Sequence, residues 1–195
     1  MFVDSKGVLW IGTNHGGLSR YIKETDNFQT YTNNINDITS ITEDNYHRLW
    51  VGTNSLGLYY FNPNANGFTR YQAPLHNAFD STNISFNQID FIKADSETLW
   101  ISYSKGILTA LNSSTLTLQH FKLFDVSSLQ TLNYSVNSLV IDKNIIWIST
   151  WSKGIWIFDK STGRCTPYTK EKNKYSNFVF LDSKGRIWYS PESRR

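Results

Sequence analysis

Leu9-Trp10-Ile11-Gly12-Thr13 returns as Leu49-Trp50-Val51-Gly52-Thr53, and then in looser form as Leu99-Trp100-Ile101-Ser102, Ile146-Trp147-Ile148-Ser149-Thr150 and Ile187-Trp188-Tyr189-Ser190. Successive tryptophans stand 40, 50, 47 and 41 residues apart. Counting outward from each one, an apolar residue recurs eleven positions on (Tyr21, Phe61, Leu111, Phe158), eighteen on (Phe28, Phe68, Leu118, Cys165) and twenty-one on (Tyr31, Tyr71, Phe121, Tyr168). The register needs no gap, so the variable spacing falls between one unit's end and the next tryptophan, where insertions leave a core undisturbed.

Each unit reads as four short strands. The first is a run such as Ile38 to Thr42, Ile89 to Lys93, Val136 to Ile141 or Phe178 to Leu181, and it ends in a polar turn such as Asp4-Ser5-Lys6-Gly7. The second carries the tryptophan, a third covers Leu58 to Phe61 or Ile155 to Phe158, and Asn62, Asn112 or Asp159 opens the turn into the fourth, which ends at the twenty-one-position aromatic. Alternation leaves both faces of these sheets partly apolar, as a sheet stacked between two others requires. A period in the forties built from strands predicts an all-β fold, a β-propeller of four-stranded antiparallel blades. The expectation is one domain over 1–195 with about four blades and a partial fifth, in units of about 1–34, 35–73, 84–123, 135–170 and 176–190. Only Met1 to Val3 remain of the first innermost strand and the fifth unit has two strands, so a fragment of a larger propeller is expected.

Composition supports an all-β reading, with 15% aromatic and 18% charged residues. The net charge of +3 comes from nineteen Lys and Arg spread along the chain, and the densest basic stretch, residues 170–174, is interrupted by Glu171. That argues against a nucleic-acid partner. Cys165 is the single cysteine, so no internal disulfide is expected. The first residues lack the basic and apolar regions of a signal peptide, and no apolar run approaches the roughly 20 residues that span a bilayer. No membrane contact by this segment is expected.

The string Asp-x-x-Gly-x-Leu-Trp-Ile-Gly-Thr-x-x-x-Gly-Leu, with Ile-x-x-Ile before it and Phe-x-x-Tyr after, resembles the repeat of two-component regulator propellers. The likeness runs over residues 4–31, 38–71, 89–121, 136–168 and 178–190. It implies the periplasmic sensor region of a hybrid two-component system of Bacteroides-type bacteria, responding to polysaccharide fragments. Such regions hold further propellers and are followed by a membrane span, a kinase and a DNA-binding domain. None of those later parts is seen in this sequence. The partners implied are an oligosaccharide and neighbouring propeller or sensor domains, and an unclosed array adds the expectation of a homodimer.

Candidate binding residues lie in the turns after the tryptophan strands, on the end where propellers most often bind ligands. These are Asn14, His15, Asn54, Tyr103, Lys105, Trp151 and Lys153. Amides suit sugar hydroxyls, aromatic rings suit sugar faces and lysines suit uronate or sulfate groups. The same residue types also serve turn geometry and solubility. The connections from Gln72 to Asn83 and from Phe124 to Ser135 are candidate recognition loops on that end. The recurring tryptophans and Trp156 are read as packing residues. No metal site, cofactor or catalytic residue is expected, since the four histidines share no ligand spacing and Cys165 stands at an apolar position. The leading expectation is a non-enzymatic sensor. The alternatives are a propeller hydrolase or lyase, for which Asp37, Asp80 and Asp125 would supply acids, and a purely structural or protein-interaction repeat.

Overall fold

The computed structural model describes residues 1–32, 35–62, 67–72, 87–104, 106–124, 135–168 and 175–192. The first sheet orders β1 (Phe2–Val3), β2 (Leu9–Gly12), β3 (Leu18–Ile22) and β4 (Asn27–Tyr31) as neighbours in chain order. The second does the same with β5 (Ile38–Glu43), β6 (Leu49–Thr53), β7 (Leu58–Asn62) and β8 (Gly67–Arg70), the third with β9 (Ile89–Asp95), β10 (Thr98–Tyr103), β11 (Ile107–Asn112) and β12 (Leu118–Lys122). The fourth holds β13 (Val136–Asp142), β14 (Ile145–Thr150), β15 (Gly154–Asp159) and β16 (Arg164–Pro167), and the fifth pairs β17 (Tyr175–Leu181) with β18 (Ile187–Glu192). Four propeller blades and part of a fifth are therefore present. The chain divides into two compact units, Met1–Ile101 with Ala110–Leu118 and Ser102–Thr109 with Gln119–Arg195, and the third blade contributes strands to both.

The tryptophan register has a direct packing cause. In the first, second and fourth blades the twenty-one-position aromatic lies on its own tryptophan, at 6.2 Å for Trp10 with Tyr31, 5.8 Å for Trp50 with Tyr71 and 4.8 Å for Trp147 with Tyr168. Strands β8 and β16 stop one residue before Tyr71 and Tyr168, short of the expected ends, yet both backbone N–H groups still reach the third strand, on Leu58 and Ile155. The eleven- and eighteen-position aromatics form a pair that faces the preceding blade. Phe61 and Phe68, 5.2 Å apart, stand 6.0 and 6.1 Å from Trp10. Trp10 thus sits in a cage of aromatic rings supplied by two blades. Where the blades come closest, Ile38 lies against Gly12, and a Cβ at Gly52 would be 2.7 Å from the Ile89 side chain.

A second recurring device explains the Asp at each first turn. Asp4 accepts hydrogen bonds from the backbone N–H of Lys6 and Val8 and from the Trp10 indole N–H, at 3.0, 2.8 and 2.9 Å. Asp44 does the same for Tyr46, Arg48 and Trp50, and Asp182 for Lys184, Arg186 and Trp188. One carboxylate therefore closes the turn and satisfies the largest ring of the blade. All three units have six residues from Asp to Trp. In the fourth blade the spacing is five, Lys143 takes a left-handed φ of 53° in a shorter hairpin, and the buried Trp147 indole N–H has no protein acceptor. Asn112 and Asp159 open the third-to-fourth strand turns as expected, each Oδ1 accepting two backbone N–H groups.

Trp188 departs from the packing reading. Its latch to Asp182 is intact, but its side chain is 53% exposed. Trp156 is half-buried, with its indole N–H donated to the Lys153 carbonyl and its ring 4.6 Å from Phe124. No helix among the described residues is long and apolar enough to cross a membrane.

Candidate functional site

The turns after the tryptophan strands are built alike in three blades. Thr13, Thr53 and Thr150 each donate a hydroxyl to the carbonyl of a glycine four residues on (Gly17, Gly57, Gly154) and accept a backbone N–H from within the turn. The backbone of each turn is thereby braced. Gly17 has a φ of +73°, and a Cβ there would run into the Tyr31 carbonyl, so this position requires glycine.

In the first unit these turns join with the entry to the next blade's first strand. The Asn14 carbonyl accepts the Asp37 N–H at 2.9 Å, and the Asp37 carbonyl accepts the Asn54 N–H at 2.9 Å. His15 Nδ1 lies 3.2 Å from Asp37 Oδ1, an ion pair when the imidazole is protonated. Gln88 Nε2 reaches Asn54 Oδ1 at 3.5 Å. Asn14, His15, Asn54 and Gln88 are all exposed. Three of the residues singled out in the sequence thus fall into one polar strip. Asp37 and Gln88 complete it, and neither was read as a binding residue, because what brings them there is a set of hydrogen bonds between units rather than any local motif.

In the second unit Trp151 is 40% exposed and its backbone N–H is fixed by the Ser135 carbonyl at 3.1 Å. Lys153 is exposed beside it, with its N–H on Thr150 and its carbonyl on Trp156. This turn presents a ring and a cation on a fixed backbone. Tyr103 differs from the expectation: it is 6% exposed and presents no open ring face, since the third blade has Tyr103 where the other turns have threonine. Lys105, the two long connections beyond Gln72 and Phe124, Asp80, Asp125 and the basic residues 170–174 lie outside the described residues.

Ser5, Glu43 and His47 meet at the opposite end of the blades, with Ser5 Oγ 3.0 Å and Glu43 Oε1 3.2 Å from His47. Both contacts fall on Nδ1, and the serine hydroxyl donates to Glu43 at 2.8 Å. A base that activates a nucleophile needs its acid on the other ring nitrogen, so the cluster clasps two blades together instead. Burial pushes the half-buried Cys165 thiol up to about 12, which keeps it out of nucleophilic chemistry near neutrality. Burial also lowers His120, which shares a 2.7 Å hydrogen bond with Thr109 inside the third blade.

Residues 34–55, which span the first strand, latch and tryptophan strand of the second blade, match the family model of the two-component regulator propeller. The second blade is a two-component regulator propeller repeat. No curated protein matches the chain. Among solved structures, the extracellular domain of BT4673 from B. thetaiotaomicron, assigned to a one-component system, is similar over 93% of this chain and 24% of its own, at 24% identity and a TM-score of 0.67. The extracellular domain of BT3049 from the same organism, assigned to a hybrid two-component system, is similar over 94% of this chain and 30% of its own, at 22% identity and a TM-score of 0.53. Virginiamycin B lyase from Staphylococcus aureus, solved with quinupristin, is similar over 97% of this chain and 68% of its own, at 14% identity and a TM-score of 0.67. These likenesses establish the propeller fold. The chain spans about a quarter to a third of the length of the two regulator ectodomains.

Proposed function

We propose that this regulator propeller is a non-enzymatic sensor module from the periplasmic or extracellular part of a hybrid two-component system, and that it recognises oligosaccharide. The observation that carries the reading is the polar strip of His15, Asp37, Asn54 and Gln88, of which Asp37 and Asn54 lie in the stretch that matches the regulator repeat. Amide and carboxylate groups alternating on a fixed backbone can exchange hydrogen bonds with sugar hydroxyls at little ordering cost. The braced Trp151 offers a ring face with Lys153 beside it, a combination that suits an acidic sugar. Binding would bias the packing of the propeller against its neighbouring sensor domains.

Calorimetric titration of the intact chain against neutral and uronate- or sulfate-bearing oligosaccharides tests this. We expect binding with at least one class. Trp151→Ala is expected to weaken it by about 0.5–1.5 kcal/mol, the loss of one aromatic stacking contact, and Asn54→Ala by a similar amount. Absence of heat and of thermal stabilisation across the whole panel would overturn the carbohydrate reading.

The likeness to a lyase favours a second reading, a propeller enzyme. Glycoside hydrolysis needs two carboxyl groups flanking the bond. Asp37 is the acid from the sequence reading that lies within the described residues, and it is engaged by His15. Release of product from a polysaccharide, lost in Asp37→Asn, would establish this alternative.

A further inference from the structure

The polar strip of the first unit does not end at Gln88. Asn87, the residue before it, accepts the Gly57 N–H on its carbonyl at 2.9 Å and an Arg70 Nη2–H on its side-chain Oδ1 at 2.5 Å. Asn87 and Gln88 are therefore pinned to the β6–β7 turn, to Asn54 and to the last residue of β8. A continuous line of polar contacts thus joins His15, Asp37 and Asn54 to Arg70. The two fixed charges of this line are held differently. Asp37 carries its carboxylate 3.2 Å from His15, whereas Arg70 is exposed, has an uncharged partner in Asn87, and pairs with no carboxylate among the described residues. The bond to Asn87 uses one of five guanidinium donors and orients the plane, so the fork that matches a carboxylate or sulfate stays available. The repeat itself does not call for this residue. Twenty positions on from Trp10, Trp100 and Trp147 stand Thr30, His120 and Pro167, and only the second of these four blades puts a guanidinium there.

We infer that Arg70 reads charge in this strip: it takes the carboxylate or sulfate of an acidic oligosaccharide whose neighbouring, uncharged sugar lies over Asn54 and Asp37. The inference rests on the oligosaccharide reading above and adds to it the class and the direction of the ligand. An anionic group placed at the Asp37 end would meet a like charge. At Arg70 it meets a guanidinium already held by Asn87, so little further ordering is needed on binding.

Calorimetric titration of the intact chain with matched oligosaccharides tests this: tetragalacturonate against its methyl ester, and a sulfated carrageenan tetrasaccharide against its desulfated form. At least one anionic member is expected to bind about tenfold more tightly than its neutral counterpart, the worth of one charge-assisted contact. Near-molar salt is expected to shrink that margin. Arg70→Gln, which keeps a donor for Asn87, is expected to lower the affinity of the anionic member about tenfold and that of the neutral member far less. Arg70→Lys keeps the charge without the fork and is expected to retain part of the margin. Circular dichroism with thermal melting verifies that both variants fold. Equal affinities for the two members of each pair, a margin that survives Arg70→Gln, or an equal loss for both members would overturn the inference and leave the oligosaccharide reading in place. Absence of binding by every member would overturn both.

Discussion

Asp44 shows how much one side chain can hold. Its carboxylate is fully buried and accepts the Trp50 indole N–H at 2.7 Å, the Arg48 Nε–H at 2.8 Å and two backbone N–H groups, while the Arg48 guanidinium also lies 5.3 Å over the Trp50 ring. Asp44→Ala would leave Arg48 and the Trp50 N–H without their buried acceptor, and breaking such a pair costs about 3–5 kcal/mol. Asp4→Ala removes a less buried latch without a guanidinium, for a loss of about 1–2 kcal/mol. Urea denaturation should rank the two variants in that order, and equal midpoints would contradict it. Asp182 gives a pH test of the same device. The Trp188 indole, then the Arg186 backbone, hold its carboxyl down at about 2. An unfolded aspartate titrates near 3.9. A lowered folded value means the latch contributes fully above about pH 4 and is lost as pH falls toward 2. The Trp188 indole N–H resonance should therefore titrate near pH 2, and a midpoint near 4 would show that the latch is absent.

Between elements, the decisive dimension is the gap between sheets. Gly12 and Gly52 leave room for Ile38 and Ile89 from the next blade, and Ser40 donates its hydroxyl to the Ile92 carbonyl across the same seam, as Ser138 does to Val179. Gly52→Ala would place a methyl within 2.7 Å of Ile89, an overpacking that costs about 1–3 kcal/mol. Ile89→Ala in that background should recover part of the loss, and strict additivity in denaturation midpoints would show that the two positions do not touch. The strands and this stacking were legible in the sequence because the tryptophan period fixes which residues share a face. The latch was not read there. Asp4, Asp44 and Asp182 looked like ordinary turn residues, although the spacing of six from Asp to Trp, against five at Asp142 and Trp147, was visible and separates the latched blades from the unlatched fourth.

For the whole molecule, the candidate site was only half legible. Asn14, His15 and Asn54 stand out as polar residues at equivalent turn positions, and the structure joins them. Asp37 and Gln88 belong to connections whose place depends on how one unit meets the next, which no local pattern encodes. Tyr103 illustrates the reverse: its residue type suggests a sugar platform, but at the end of β10 it is only 6% exposed. The latch carries one more implication. A blade whose indole and turn amides are all satisfied by its own aspartate does not draw on its neighbour for those hydrogen bonds, so such a unit can be duplicated, inserted or deleted in an array without orphaning its own tryptophan. The Asp–Trp bond is thus what makes a blade portable, and the fourth blade, with its unmatched indole, lacks that freedom.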